Sequence, residues 1–543
     1  MEIRYRNLFL SVFMLSALLG SGVAFADDVV VYGKDNSVVY QNDAENIDKV
    51  AIDNDKTGIS IYGKDGKKLY GDKVANLGSM VFGANSKAQV LVTTTTRSKD
   101  LTWESVDFKD SEIPKAAIRL DPENQYQEID GFGAAITGST CYNLMQMQEA
   151  DRKKFLTETF SPDNYGFSYV RIAIGCSDFS LSEFTCCDEE GIENFAIPSE
   201  DKEYIIPILK EIIAINPDLK IMGTPWTCPR WMKVITPGSS ISYNAWKGGC
   251  LNTKYYEDYA TYFVKWIQAY QAEGIAIYSV TPQNEPLNYW GNSASARMDW
   301  EQERDFVKVL GPALERAGLA TKIFIYDHNY DYDNKSGQTD YPINIYNDAE
   351  ASKYVAGAAY HNYGGDKSEL LDIHSKAPEK DLIFSETSIG GWNSGRDLAT
   401  RLVDDMEQVT LGTVNNWSKG AIVWNLMLDS DSGPNRSDKG GCDNCYGAVD
   451  IDVSDFKTIT RNSHYYIIAH MASVVKPGAR RVATNNVRYD KLTYAAFQNT
   501  DGSYALVASN GSNYTRNISI TAGSKYFTYS IPSGSVVSFR WFE

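Results

Sequence analysis

Glu285 and Glu386 each end a short apolar run, Tyr278-Ser279-Val280-Thr281-Pro282-Gln283-Asn284-Glu285-Pro286 and Leu382-Ile383-Phe384-Ser385-Glu386-Thr387. Two carboxylates at strand ends, brought together by a fold, supply what glycosidic cleavage needs. One protonates the departing oxygen and the other supports positive charge at the anomeric carbon. If the carboxyls lie roughly 5–5.5 Å apart, the second attacks to form a glycosyl-enzyme; a gap of about 6.5–9.5 Å admits water and inverts the product. The expectation is double displacement with retention, Glu285 as general acid/base and Glu386 as nucleophile. A proton must then persist on Glu285 near neutral pH, which burial or the nearby charge of Glu386 supplies. Either glutamate alone reads equally well as half of an unrelated salt bridge; both together, with these flanks, do not.

The elements that must position them alternate between short β-branched runs and helical patterns from about Gln127 to Leu428. Candidate strands are Gln127 to Phe132, Tyr169 to Ile174, Leu219 to Thr224, Ile277 to Thr281, Lys322 to Asp327, Val355 to Tyr360, Asp381 to Ser385 and Ala421 to Asn425. Eight such strands close a (β/α)8 TIM barrel of α/β class, with chemistry at the carboxyl ends of the strands. Strands four and seven, which end in Glu285 and Glu386, then face each other across the mouth. Tyr255 to Ala272 and Glu301 to Ala317 carry apolar residues at helical spacing. After Lys476-Pro477-Gly478 the pattern turns to short alternating strands, a closing β-sandwich to which Ala116 to Leu120 can add a strand.

Before the barrel lies a repeat in which Tyr32-Gly33-Lys34-Asp35 matches Tyr62-Gly63-Lys64-Asp65. Each copy reads as a hairpin, turning at Asp35-Asn36 and Asp65-Gly66. The expected organisation is a signal peptide over residues 1–26, a β-rich repeat region over 27–112, the barrel over 113–475 and the sandwich over 476–543. The signal peptide follows from Arg4 and Arg6, the apolar run after them, and the small-residue exit at Ala24-Phe25-Ala26. That run is too short to span a membrane, so the expected protein is secreted, periplasmic or extracellular.

A net charge of −18 over 543 residues repels phosphate backbones and anionic headgroups, which argues against nucleic acid and membrane surfaces as partners. No heptad or exposed amphipathic segment calls for an obligate protein partner. Of the eight cysteines, the short Cys442-Asp443-Asn444-Cys445 loop offers the best local pair, which reads as a disulfide rather than half of a zinc site. The five histidines lack metal-ligand spacing, so neither metal nor cofactor is expected; His328 and His361 follow strands five and six, and His328 stands as a candidate site residue.

The motifs QEIDGFGAAITGS, VRIAIGCSDFS, GTPWTCPRWMK, TPQNEPLNYW and FSETSIGGW occur in that order, and with them the chain resembles glycoside hydrolase family 30, the glucosylceramidase and β-1,6-glucanase family, over roughly Gln125 to Trp541. The resemblance implies a barrel with a β-sandwich beside it. It also implies roles: Asn284 for the sugar 2-hydroxyl, Arg171 as a buried support for the nucleophile's charge, and Asp178 and Trp226 for the far hydroxyls of a glucosyl unit. Tyr363 resembles the tyrosine that contacts the nucleophile, and Trp424 the floor of the subsite. The chain departs from the family where many members carry an acidic residue and this one carries Gly138. The form AAITGSTCYNL resembles the β-1,6-glucanase branch, so a β-1,6-glucan or related β-glucoside is the expected substrate. Glucosylceramide, another β-glycoside such as a fucoside, or a barrel that binds carbohydrate without turnover are the alternatives. The loops at Cys186-Cys187 and Cys442 to Cys445 are expected to rim the cleft.

Overall fold

The computed structural model describes residues 28–33, 38–43, 47–52, 58–63, 65–73, 77–82, 87–288 and 294–542. Eight parallel strands make one sheet: Gly131–Ala134, Tyr169–Ala173, Lys220–Thr224, Ser279–Val280, Lys322–Asn329, Val355–His361, Asp381–Glu386 and Ser418–Val423. The first pairs with the eighth, and the order then descends strand by strand to the second. The two edges meet at the parallel bridge between Ala135 and Arg171, where the Ile136 N–H donates to the Arg171 carbonyl at 2.8 Å. The sheet is thus closed into a barrel. The helices expected after the third and fourth strands are present as Tyr256–Ala272 and Trp300–Arg316.

Each of the eight expected strands has a counterpart, but the first starts later than its apolar pattern suggested. Gln127 and Glu128 belong instead to a long strand, Ile118–Glu128, that pairs with Arg480–Thr484. The chain leaves it and enters the barrel at Gly131, whose φ of 145° lies where a side chain is strained. That long strand belongs to a nine-stranded sheet together with Arg480–Thr484, Leu492–Gln498, Tyr504–Asn510, Arg516–Thr521, Phe527–Ile531 and Ser535–Trp541. Lys87–Thr94 and Thr102–Asp107, which the sequence assigned to the amino-terminal region, complete the same sheet.

The period of two along the strands sorts the barrel interior into layers. Tyr169, Met222, Phe324, Ala359, Ile383 and Ile422 pack as an apolar plug. Two residues further along their strands stand Arg171, Thr224, His361, Ser385 and Trp424, so polar groups begin where the plug ends. Strand five breaks the rule. Its pairing with strand six shifts register between Tyr326 and His328, and Tyr326 and Asp327 take φ of 72° and 54°. The extra residue turns the Asp327 carboxylate inward and sends Tyr326 to the outer core, against Tyr332 and Tyr341.

The chain divides into two compact units, Val90–Glu104 with Glu112–Arg540, and Met1–Gln89 with Ser105–Ser111 and Trp541–Glu543. In the smaller unit Asp28–Gly33 pairs with Val38–Asp43 and with Leu77–Phe82, while Ile47–Ile52, Gly58–Gly63 and Lys68–Lys73 form a second three-stranded sheet. The antiparallel strand pairs that flank both expected turns are present; Gly66 takes a φ of 75° in the second turn, and the Asp35-Asn36 turn lies outside the described residues, as does the expected signal peptide. Among the described residues no helix is long and apolar enough to cross a membrane.

Gly133 sits where the first two strands meet, and a Cβ there would stand 2.1 Å from the Tyr169 carbonyl oxygen. Backbone cannot swing aside as a side chain can, so Gly133→Ala should destabilise the barrel by roughly 1–3 kcal/mol. A thermal melt reads this as a lowered midpoint, and an unchanged midpoint would contradict the tight strand contact.

Candidate active site

Arg171, on the second strand, has no exposure to water. Its guanidinium donates to Glu386 Oε2 at 2.5 Å, Asn284 Oδ1 at 2.7 Å, Asp327 Oδ2 at 2.8 Å and Thr224 Oγ1 at 3.3 Å. Four strand ends, those of the third, fourth, fifth and seventh strands, are thereby tied to one cation. Asp327 in turn accepts from the Thr281 hydroxyl at 2.7 Å, the Ser385 hydroxyl at 2.6 Å and the His361 Nε2 at 3.1 Å. Burial alone would raise this carboxyl, but Arg171 and His361 outweigh it and hold it far below the usual carboxylate range.

Glu285 follows a two-residue strand and takes a φ of 44°, fixed by its N–H donating to the Asp327 carbonyl at 3.0 Å. Such a backbone is uncommon for a residue with a side chain and concentrates at functional sites. The carboxylate accepts from Asn288 Nδ2 at 2.6 Å and meets His361 Nδ1 at 3.1 Å. Glu386 ends strand seven and accepts from the Tyr363 hydroxyl at 3.1 Å. Ligand atoms of Glu285, His361 and Glu386 all lie within 4.8 Å of one another, which puts the two carboxylates on the short side of the two-carboxylate geometries.

Burial lowers the affinity of His361 for its proton, yet Glu386, Asp327 and Glu285 around it lift its pKa from 6.5 to about 9. The ring is therefore a cation near neutral pH, with both N–H groups donating to carboxylates. It has no lone pair for a metal, and beside Arg171 it would repel one, so the cluster does not fit a cation site. At Glu386 burial prevails over His361 and Arg171 and raises the carboxyl, helped by the nearby Glu285. At Glu285 burial is outweighed by the His328 and His361 imidazoles and the Asn288 amide, and the carboxyl is lowered. Burial pushes His328 down to about 4, so near neutral pH it is uncharged and, of the two rings, His361 alone provides that pull. Charge counting gives the resting state: Arg171 and His361 carry two positive charges, Asp327 one negative. Neutrality needs one ionised glutamate and one proton shared by the pair.

The cavity is lined by Asp178, Trp226, Asn284, Glu285, Glu386 and Trp424, together with Asn288, Asn329, Tyr363, Ser388, Trp392, Cys442 and Cys445. Trp226 and Trp424 stack with ring centroids 5.1 Å apart, and the Arg171 guanidinium lies 4.9 Å from the Trp226 ring. Asp178 is pushed up to about 7 by burial and by Glu386, so it can meet a sugar hydroxyl as donor or acceptor. Asn284 gives its carbonyl oxygen to Arg171, which leaves its amide hydrogens for a ligand.

Of the residues expected from sequence, Glu285, Glu386, Asn284, Asp178, Trp226, Tyr363 and Trp424 line the cavity, and Arg171 lies directly behind it. His328 does not: it is buried, its Nδ1 has no hydrogen-bond partner, and its ring centroid is 6.3 Å from that of His361. The strand-five bulge turns Asp327 inward in its place. Cys186 and Cys187 are buried thiols away from the cavity, whereas Cys442 and Cys445 form a disulfide at its rim. Sequence reasoning missed Asp327 and Trp392 and ranked His361 below His328; nothing in the local pattern FIYDHN marks a bulge. The departure at Gly138 acquires a reason, because a Cβ there would stand 2.0 Å from Glu200 Oε1. The Glu200 carboxylate fills the space in which a side chain at 138 would begin.

The family described as "Glycosyl hydrolase family 30 TIM-barrel domain" matches residues 129–475, and "Glycosyl hydrolase family 30 beta sandwich domain" matches 478–539. A solved endo-β1,6-glucanase is similar at 60% identity and a TM-score of 0.82, covering 84% of this chain and 99% of its own. The endo-1,6-β-D-glucanase of Neurospora crassa is 31% identical over 376 residues, 67% of this chain and 74% of the fungal protein. The lysosomal acid glucosylceramidase of Mus musculus is 26% identical over 448 residues, 78% and 83% of the two chains.

Because folding lifts the His361 pKa from 6.5 to about 9, the stability this ring adds is complete below pH 6.5 and is lost as pH rises through about 9. The difference in melting temperature between the wild type and His361→Gln should therefore narrow as pH is raised across that window. A gap that stays constant would mean the ring is not charged in the folded protein.

Proposed function

The chain belongs to glycoside hydrolase family 30 and is a glycosidase, and from that premise we propose that it cleaves β-1,6-linked glucan within the chain by double displacement. The observation that carries the linkage is the 60% identity to an endo-β1,6-glucanase over nearly all of that protein. Identity at this level supports shared substrate-contacting loops as well as a shared fold, which the more distant glucosylceramidase likeness does not.

In this reading Glu386 is the nucleophile and Glu285 the general acid/base. Double displacement needs the anion on Glu386 and the proton on Glu285; in the empty site Glu386 is raised and Glu285 lowered, and what favours the required order is the direct contact of Glu386 with Arg171, which is charged at any pH. The Glu386 oxygen attacks the anomeric carbon while Glu285 gives its proton to the departing oxygen; water, deprotonated by Glu285, then breaks the ester. His361, between Glu285 and Asp327, orients the acid/base and stabilises its anion once the proton has left. Asn284 supports the sugar 2-hydroxyl, Asp178 and Trp226 the far hydroxyls, and the Trp424 indole the face of the ring. His328 acts from behind the cavity rather than on the sugar. The amino-terminal Arg4 and Arg6, followed by an apolar run and Ala24-Phe25-Ala26, supports export with cleavage after Ala26, which amino-terminal sequencing of the exported protein tests.

Pustulan, a linear β-1,6-glucan, should be cut to a ladder of oligosaccharides whose newly formed reducing ends are first β and mutarotate later. Glu285→Gln and Glu386→Gln should each lower kcat on the order of 1,000-fold. Release of glucose alone would replace endo by exo action, and an intact polymer would remove the proposed linkage.

A further inference from the structure

The cavity has two unlike sides. Trp226 and Trp424 are 3% and 5% exposed, whereas Trp392, which also lines it, is 52% exposed and is the one tryptophan among the exposed large hydrophobic residues described. A lone apolar side chain on a surface needs no explanation. This one is held in place. The Ile389–Gly390 strand that precedes it pairs antiparallel with Cys445–Tyr446, one residue of which belongs to the Cys442–Cys445 disulfide. The Gly391 N–H donates to the Asn444 carbonyl at 2.9 Å, and the Gly390 N–H to Asn393 Oδ1 at 3.0 Å. The Trp392 ring lies so close over Gly390 that a Cβ there would stand 2.0 Å from it. An indole packed edge-down on a glycine, in a loop clipped by a disulfide, is rigid before any ligand arrives. Its open face costs little entropy to use.

We infer that Trp392 is the platform for the sugar on the leaving-group side of the cleavage point, stacking on the apolar face of the hexose whose oxygen Glu285 protonates. This deepens the glucanase reading and rests on it for the identity of the sugar. The enclosed half of the cavity, with its two stacked tryptophans and Asp178, takes the ring that becomes bonded to Glu386. The departing ring then has the open half, where Trp392 stands. In a β-1,6 linkage that ring is joined through an exocyclic carbon, so one more bond rotates freely than in a linkage to a ring oxygen. A rigid aromatic surface removes that freedom at the moment the proton is delivered.

The same platform serves in reverse, which gives the test. With β-glucosyl fluoride as donor, fluoride leaves and the glucosyl group rests on Glu386. A methyl β-glucoside on Trp392 then loses a hydroxyl proton to Glu285, its oxygen bonds to the anomeric carbon, and Glu386 departs as carboxylate. Water competes for the same ester, so the ratio of transfer product to free glucose reports acceptor binding and is independent of how much of a variant is folded. Trp392→Ala should lower that ratio about tenfold, and Trp392→Phe should restore most of it. An equal ratio in wild type and Trp392→Ala, or no transfer by the wild type, overturns the platform. Pustulan hydrolysis by the wild type is scored separately. A Trp392-dependent ratio with pustulan untouched keeps the platform and discards the linkage; pustulan cleavage with an unaltered ratio does the opposite.

Discussion

The Arg171 guanidinium cannot be left unanswered where it sits. Fully out of water, it carries a charge that no accessible pH removes, and the cost of burying it is recovered only where anions and acceptors surround it. Asp327 is the fixed answer, held ionised by Arg171 and His361. Glu386 is the second, and Asn284 supplies a neutral oxygen. Those partners sit at the ends of the fourth, fifth and seventh strands, so barrel closure and charge compensation require the same geometry. The bulge on strand five follows from it: without the register shift, Tyr326 rather than a carboxylate would face the cation.

The same charge count describes the proposed reaction. As Glu386 becomes an ester its negative charge disappears, and as Glu285 releases its proton an equal charge appears a few ångströms away. Arg171 and His361 therefore face a constant total through glycosylation and again, in reverse, through hydrolysis. What moves is the position of the anion, from the guanidinium toward the imidazole. A site arranged this way needs no reorganisation of its buried ions during the chemistry, which is where a low-dielectric cavity with fixed partners is most effective.

Much of this was legible in the residues. Glu285 and Glu386 stand out because each ends an apolar run, and the eight runs themselves predict the barrel, since a strand buried on both faces must be continuously apolar. Arg171, Asp178, Trp226, Tyr363 and Trp424 came from resemblance of motifs and fall at or behind the cavity. The rest depended on features with no local signature. Asp327 reaches the site through a bulge, and simple alternation favours its neighbour His328. Gln127 and Glu128 share the apolar run of the first barrel strand but pair with a strand more than 350 residues later. Trp392 is marked only by its combination of exposure and rigid support, both properties of the folded chain.

The central claim, that the anion held by Arg171 is the group that attacks the sugar, is tested by trapping the glycosyl-enzyme. A 2-deoxy-2-fluoro-β-glucosyl fluoride forms the ester but slows its hydrolysis, because the fluorine destabilises the positive charge of the second step. Peptide mass spectrometry of the inactivated protein should find one added fluoroglucosyl group, on Glu386. A label on Glu285 or elsewhere, or inhibition with no covalent adduct, would contradict it.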